Sequence, residues 1–214
     1  MLDDDDVLES TALAQLRQTL RDDQATWRDN FQKDALVESL RGHRDLLLVL
    51  PTGSGKSLVP IVTAATLRCK TVLVIVPFVA LRSHLDRRCR ACRWCPDGLV
   101  VDGPSEVAEI AAFRDDIMEL ARSGQLARVF IDEAHVFVFD HAWRSSLNGI
   151  HWISQLPCRR VLMTGTLPLD KVPALAEQLA LQHSNIYEIR SPQTPARIRR
   201  SVRTYNSSAD WAGI

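Results

Sequence analysis

The sequence predicts an α/β domain with a mostly parallel β-sheet and helices on both faces. Three observations lead to this fold class: short apolar runs, helical stretches between them, and a glycine-rich turn after the first run. The runs are rich in Leu, Ile and Val and do not alternate with polar residues, as expected of strands buried on both faces. They occupy residues 45–50, 71–76, 99–101, 128–131 and 160–163.

The helical stretches make strands and helices alternate along the chain. They occupy residues 58–69, 80–91, 106–123 and 172–181. Gly124 directly follows the third stretch and is suited to end it, because glycine readily adopts the left-handed conformation of a helix C-terminus. Alternation predicts right-handed crossover connections. In such sheets ligands bind outside the carboxyl ends of the strands.

Composition divides the chain into an acidic N-terminal segment (1–25), a domain (26–190) and a tail or linker rich in Pro, Ser, Asn and Arg (191–214). The 26 basic and 26 acidic side chains cancel over the 214 residues. No apolar run approaches the roughly 18 residues of a membrane span, and the acidic start does not resemble a secretory signal. Five cysteines are too few for a disulfide scaffold and favour a reducing compartment.

The glycine-rich turn stands between the first predicted strand and the first predicted helix. It reads Pro51-Thr52-Gly53-Ser54-Gly55-Lys56-Ser57. Glycines let backbone N–H groups converge on phosphate oxygens, and the helix N-terminus adds its positive dipole end. Lys56 is suited to reach the β- and γ-phosphates and Ser57 to bind Mg²⁺. Residues 52–57 therefore predict an ATP and Mg²⁺ site, although Leu50 replaces the first glycine of the strict motif.

Two acidic residues follow a later predicted strand, in the order Asp132-Glu133-Ala134-His135. An apolar strand that ends in two acids delivers both carboxylates to the ligand edge of the sheet. Asp132 is suited to hold Mg²⁺, and Glu133 to accept a proton from an attacking water. With the glycine-rich turn upstream, the pair predicts hydrolysis of a nucleoside triphosphate.

From residue 27 to residue 202 the chain resembles the first RecA-like domain of a superfamily 2 DNA helicase, most closely the RecQ family and its fungal telomere-associated relatives. Residues 51–57 correspond to motif I and residues 132–135 to motif II in its DEAH form. The resemblance implies a RecA-like P-loop fold, ATP and Mg²⁺ as cofactors, 3′-to-5′ unwinding, and a nuclear location. It makes Lys56, Asp132, Glu133 and His135 the expected catalytic residues.

The resemblance extends to four further segments. Gln32 lies in a segment similar to the adenine-recognition motif, where Trp27 or Phe31 could stack on the base or belong to the core. Residues 163–168 resemble motif III, whose hydroxyl residues Thr164 and Thr166 are expected to couple nucleotide state to DNA, with Gly165 where Ala is usual. The expected contacts to single-stranded or partly duplex DNA come from a motif Ia-like loop, the basic cluster after it and an aromatic-rich loop: Pro77, Arg82, Arg87, Arg88, Trp143 and Arg144.

Several alternatives remain open from the sequence. The basic cluster could be a solvated helix face, and Phe137, Phe139 and Trp143 could be core residues rather than a base-stacking loop. Cys89, Cys92 and Cys95 are regularly spaced but supply only three of the four ligands zinc needs, so free thiols are the favoured interpretation. RNA could replace DNA as the substrate.

The resemblance also implies a partner for this domain. Helicases of this superfamily close two RecA-like domains over ATP, whereas the sequence is expected to contain only the first, followed by a linker. The chain is therefore interpreted as the ATP-binding part of a helicase. The alternative is a stand-alone or truncated nucleotide- and nucleic-acid-binding module without unwinding activity.

Overall fold

A computed structural model describes residues 4–68, 70–76, 99–102, 111–139 and 151–192 of the chain. Its six strands form one sheet in the order β3-β2-β4-β5-β1-β6, and every neighbouring pair is parallel. The strands are β1 (Asp45–Val49), β2 (Thr71–Ile75), β3 (Leu99–Asp102), β4 (Leu126–Ile131), β5 (Arg159–Thr164) and β6 (Ile186–Arg190). The predicted parallel α/β class is confirmed.

Helices account for most of the remaining described chain. They are α1 (Asp4–Leu20), α2 (Asn30–Arg41), α3 (Leu58–Thr66), α4 (Ala111–Arg122), α5 (Val136–Phe139) and α6 (Val172–Gln178). Short 3₁₀ turns occupy His151–Gln155, Leu169–Lys171 and His183–Asn185. Three of the four predicted helices correspond to α3, α4 and α6, while the helix predicted at 80–91 lies outside the described residues.

Gly124 ends α4 as predicted. It has a φ of +71°, which costs an L-residue with a side chain but not glycine. Its N–H donates to the Ala121 carbonyl at 3.1 Å, and the Gln125 N–H donates to the Leu120 carbonyl at 2.8 Å. The second bond reaches back five residues, as in the Schellman type of helix end.

The central strands contribute alternate side chains to two cores on opposite faces of the sheet. Leu47, Leu73 and Val129 belong to one core, which α4, α5 and α6 complete. Leu46, Val72 and Phe130 belong to the other, which α1, α2 and α3 complete. Because successive residues of a strand point to opposite faces, a sheet covered on both sides needs continuous apolar runs, as the sequence has.

Helix α1 lies within the acidic segment at residues 1–25, for which the sequence predicted no helix. Ala12 and Leu16 are buried in the core shared with α2 and α3. Glu9 forms a salt bridge with Lys33 at 3.3 Å, and Asp5 forms one with Arg41. The acidic face of α1 thus pairs with basic side chains of α2, and the helix packs as part of the folded unit.

Strand β6 was also not predicted. Only Ile189 of its five residues is buried, because β6 lies at the edge of the sheet beside β1. Such a strand lacks the apolar run that reveals a central one. Among the described helices, none is both long and apolar enough to cross a membrane.

Candidate nucleotide-binding site

The glycine-rich turn connects the carboxyl end of β1 to the N-terminus of α3. Gly53 and Gly55 have φ values of +81° and +90°, which only glycine adopts readily. The Ser54 N–H donates to the Pro51 carbonyl at 3.2 Å, and the Leu58 N–H donates to the Gly55 carbonyl at 2.8 Å. Apart from its two chain neighbours, no described residue has an atom within 4 Å of the position that a Cβ on Gly53 would take. The turn therefore leaves open space directly above its backbone.

Lys56 reaches across this turn. Its Nζ donates to the carbonyls of Leu50 at 2.6 Å and Pro51 at 3.1 Å. Burial lowers the pKa of Lys56, while the nearby carboxylates of Glu133 and Asp132 act to raise it. The ammonium is therefore partly desolvated, and a phosphate that displaced the two carbonyls would restore strong partners to it.

The acidic pair follows β4 at the same edge of the sheet. The Asp132 N–H donates to the Ile75 carbonyl at 2.9 Å, and the Ala134 N–H donates to the Met163 carbonyl at 2.9 Å. Burial raises the pKa of Asp132, and the charge of Glu133 raises it further, against Lys56 and His135. Asp132 is thus a desolvated carboxylate whose charge a bound cation would stabilise.

Glu133 has a left-handed backbone with a φ of +47°, a conformation that costs a non-glycine residue roughly 1–2 kcal/mol. Its N–H donates to Asp132 Oδ1 at 3.0 Å, and its Oε2 lies 3.2 Å from His135 Nδ1. Backbone strain of this kind is concentrated at functional sites.

One cleft of about 750 Å³ brings these groups together. Lys56, Asp132 and Glu133 all line it. A site for ATP and Mg²⁺ requires these three side chains to face the same space. The other phosphate-side residues of its lining are Thr52, Gly53, Gly55 and Ser57. Ser54, also predicted to contact nucleotide, is buried beneath the turn and is not part of the lining. The Ser57 hydroxyl and the Asp132 carboxylate are the oxygen ligands that Mg²⁺ prefers.

Gln32 connects the base side of the cleft to the glycine-rich turn. Its backbone N–H is capped by Asp29 Oδ1 at 2.7 Å, and its Oε1 accepts the Arg28 N–H at 2.8 Å. This contact directs its Nε2 toward the turn, where a Cβ on Gly55 would lie only 2.2 Å from it. Trp27 also lines the cleft, whereas Phe31 packs against the core without lining it.

A hydrogen-bonded chain joins the acidic pair to the segment after β5. His135 Nδ1 lies 3.0 Å from Thr164 Oγ1, and that hydroxyl donates to the Thr166 carbonyl at 3.1 Å. The His135 tautomer with its proton on Nδ1 fits this arrangement, because Glu133 Oε2 and Thr164 Oγ1 both offer an acceptor to that nitrogen. Glu133, His135, Thr164 and Thr166 therefore form one network. Gly165 lies beside it, and a Cβ there would be 3.9 Å from Lys56 Nζ.

Not every predicted site residue is placed by the structure. All six predicted DNA contacts lie outside the described residues: Pro77, Arg82, Arg87, Arg88, Trp143 and Arg144. The same holds for Cys89, Cys92 and Cys95. Within the described ranges, no group of three or more His, Cys, Asp or Glu side chains is arranged to hold a metal ion.

The aromatic residues after His135 separate into two kinds. Phe137 is buried in the core on α5, which favours the core alternative for this ring, because a ring used for packing cannot receive a base. Phe139 is half exposed, with its ring centroid 6.5 Å from that of His135. Only Phe139 of this pair is accessible to a ligand.

Sequence reasoning also missed part of the cleft. Leu16 and Leu20 of α1, together with Thr26 and Arg28, line it beside Trp27 and Gln32. The two leucines lie four residues apart and so share one face of the helix, but they belong to no recognisable motif. Their position depends on how α1 packs against α2 and α3.

Comparisons with known proteins agree with this architecture. The family described as type III restriction enzyme, res subunit, matches residues 17–169. A solved structure of a hypothetical ATP-dependent RNA helicase from Sulfolobus tokodaii matches with a TM-score of 0.57 and 18% identity, covering 83% of this chain and 57% of that one. At this identity the likeness shows the fold alone, a RecA-like α/β domain, and the chain spans little more than half of that protein.

Proposed function

The chain belongs to the family of the type III restriction enzyme res subunit, and from the geometry of its cleft we propose that it binds and hydrolyses ATP with Mg²⁺ as the first RecA-like domain of a helicase. The observation that supports this most directly is the shared cleft of Lys56, Asp132 and Glu133. A basic group, a desolvated carboxylate and a carboxylate held near a histidine serve three different needs of phosphoryl transfer.

Each residue has a defined part in the proposed reaction. Lys56 exchanges the carbonyls of Leu50 and Pro51 for phosphate oxygens. Ser57 and Asp132 would hold Mg²⁺, which would supply positive charge to the phosphates. Glu133 accepts the proton of the attacking water as the new bond to the γ-phosphorus forms and the bond to the bridging oxygen breaks. ADP leaves with the electron pair of that bond.

We further propose that His135, Thr164 and Thr166 transmit the state of the nucleotide to bound nucleic acid. His135 contacts both Glu133 Oε2 and Thr164 Oγ1, so a change at Glu133 upon hydrolysis alters the donor that holds Thr164. Single-stranded DNA is the proposed nucleic acid, with 3′-to-5′ movement of the RecQ type. Its support is the motif resemblance, the basic cluster at 82–93 and the accessible ring of Phe139. RNA is the alternative substrate.

The test is ATP binding and hydrolysis by the purified chain, alone and with single-stranded DNA or RNA of the same sequence. Lys56→Ala is expected to weaken nucleotide binding. Glu133→Gln is expected to preserve binding and lower turnover by roughly 10²–10⁴-fold, the usual contribution of a general base. Arg159→Gln is the matched control, because Arg159 is exposed at the opposite edge of the sheet. If neither site variant changes binding or turnover, the proposed function is wrong.

The absolute rate is a second readout. In two-domain helicases an arginine finger comes from the second domain, and such a residue accelerates hydrolysis by about 10³–10⁵-fold, which corresponds to ~4–7 kcal/mol of barrier. These 214 residues by themselves are therefore expected to hydrolyse ATP slowly and not to unwind duplex. A turnover typical of a complete helicase would contradict this expectation.

A further inference from the structure

We propose that the C-terminal end of helix α1 is part of the nucleotide site and that Leu20 supplies an apolar wall for the base. This inference rests on the proposed function, which assigns the cleft to ATP. It extends that function to a helix in the acidic segment, whose first 13 residues, 4–16, precede the family match at 17–169.

The exposure of Leu20 is the first observation. Leu20 is one of five large hydrophobic side chains that are exposed among the described residues, with 45% of its surface accessible. It lines the same cleft as Lys56, Trp27 and Gln32. An exposed apolar side chain that lines a cleft gains free energy when a ligand removes it from water, and the faces of a purine base provide such a surface.

The chain around Leu20 is held in place by defined contacts. The Asp22 N–H donates to the Arg17 carbonyl at 3.1 Å, and Arg17 Nε donates to the Ala25 carbonyl at 2.9 Å. Arg21 takes a left-handed φ of +55°, which turns the chain sharply after α1. These contacts fix both Leu20 and the following segment, so that Thr26 and Trp27 join the same lining.

The opposite end of the lining differs in chemistry. The glycine-rich turn and the segment after β4 contribute charges and backbone donors suited to phosphates. Helix α1 and the segment after it contribute Leu16, Leu20 and Trp27, together with the polar Thr26 and Arg28. A nucleotide has the same polarity, with a charged triphosphate at one end and a flat base at the other. The lining therefore matches a nucleotide better than it matches an inorganic polyphosphate.

The experiment separates base binding from phosphate binding. Affinities of Mg²⁺-ATP and of Mg²⁺-tripolyphosphate, which has no base, are measured by calorimetry for wild type, Leu20→Ala and Val7→Ala. Alanine preserves the helix, since it has the highest helix propensity. Val7 is the control: it lies on α1 with 47% of its surface exposed and does not line the cleft.

Leu20→Ala is expected to weaken ATP binding about three- to tenfold, in line with the loss of buried apolar surface, and to leave tripolyphosphate binding unchanged. Val7→Ala is expected to change neither. An equal loss for both ligands would assign Leu20 to the fold rather than to the base, and unchanged ATP binding would also overturn the inference. If wild type bound neither ligand, the proposed function itself would fail.

Discussion

Two clefts of similar size open at opposite edges of the sheet, and their linings differ in kind. The proposed nucleotide cleft, about 750 Å³, lies at the carboxyl edge and combines a lysine with two carboxylates. The second cleft, about 800 Å³, lies at the amino edge where β4 and β5 begin. Among the residues that the structure describes, its lining contains four basic residues and no Asp or Glu: Lys70, Arg122, Arg128 and Arg159.

The direction of the backbone explains this difference. In a parallel sheet with crossover helices, helix N-termini meet the carboxyl edge and helix C-termini meet the amino edge, so each edge has the opposite dipole end. Arg128 shows the consequence, because its guanidinium donates to the carbonyls of Ser39 at 2.8 Å and Leu40 at 3.0 Å at the end of α2. At the amino edge this basic residue therefore serves the fold. The size of a cleft alone does not indicate function.

The cysteine in the amino-edge cleft also has a structural rather than a chemical role. Cys158 lines the amino-edge cleft and is a buried free thiol. Burial raises the pKa of Cys158 to about 11, against the charges of Arg160 and Arg128. Since the thiolate is the reactive form, this thiol stays protonated and inert at neutral pH.

The comparison of the two clefts can be tested by mutation, and the largest effect on stability is expected at Gly42 in the amino-edge cleft. Gly42 has a φ of +65°, and a Cβ there would lie 1.6 Å from Arg128 Nη2. Gly42→Ala adds backbone strain and displaces a guanidinium with charged hydrogen bonds, so it is expected to lower the free energy of unfolding by about 2–4 kcal/mol. Denaturant titration measures this, and ATP affinity of the folded protein should not change. A loss of affinity without a loss of stability would place this cleft in the nucleotide site.

A substitution at Gly55 in the carboxyl-edge cleft is expected to lower stability less than Gly42→Ala does, but to lower ATP affinity more. Gly55→Ala places a Cβ 2.2 Å from Gln32 Nε2, which displaces the side chain that joins the base side to the phosphate side. We expect at least about a tenfold loss of ATP affinity, or ~1.4 kcal/mol. Gly53→Ala is the matched control, because Gly53 has a similar φ but no neighbour within 4 Å. Equal losses in both variants would show that backbone strain alone matters.

The smallest effect is expected from Asp132→Asn, which should change the stability of the protein in the absence of nucleotide. Burial raises the pKa of Asp132 above its ordinary value of 3.8, so the folded protein binds the proton more tightly than the unfolded chain. The contribution of Asp132 to stability therefore falls as the pH rises from 3.8 through the folded pKa. At pH 7 the variant should melt at a higher temperature than wild type, with the difference narrowing as the pH falls toward 4.

With Mg²⁺-ATP bound, wild type should instead melt at a higher temperature than Asp132→Asn. A bound cation stabilises the Asp132 carboxylate, and Asn offers a weaker ligand. Thermal denaturation with and without Mg²⁺-ATP gives both comparisons. A variant less stable than wild type at pH 7 without nucleotide would show that the charge of Asp132 supports the fold.

The sequence alone determined the parallel α/β class and the residues of the proposed phosphate end of the cleft. Residues 51–57 and 132–135 are short continuous segments whose chemistry depends on local spacing, and the central strands are buried on both faces, so their apolar runs reveal them. Gly124 was predictable for the same local reason.

Only the tertiary structure decided which residues form the proposed base end of the cleft and which aromatic rings are buried. Leu20 lies far from Lys56 in sequence and meets the cleft through the packing of α1, while Phe137 fills the core and Phe139 remains accessible although they stand two residues apart. Edge strand β6 and the contact of Gln32 with Gly55 also depend on pairing between distant segments. Local patterns specify backbone conformation and burial, but which surfaces meet depends on long-range packing, which no short stretch of sequence encodes.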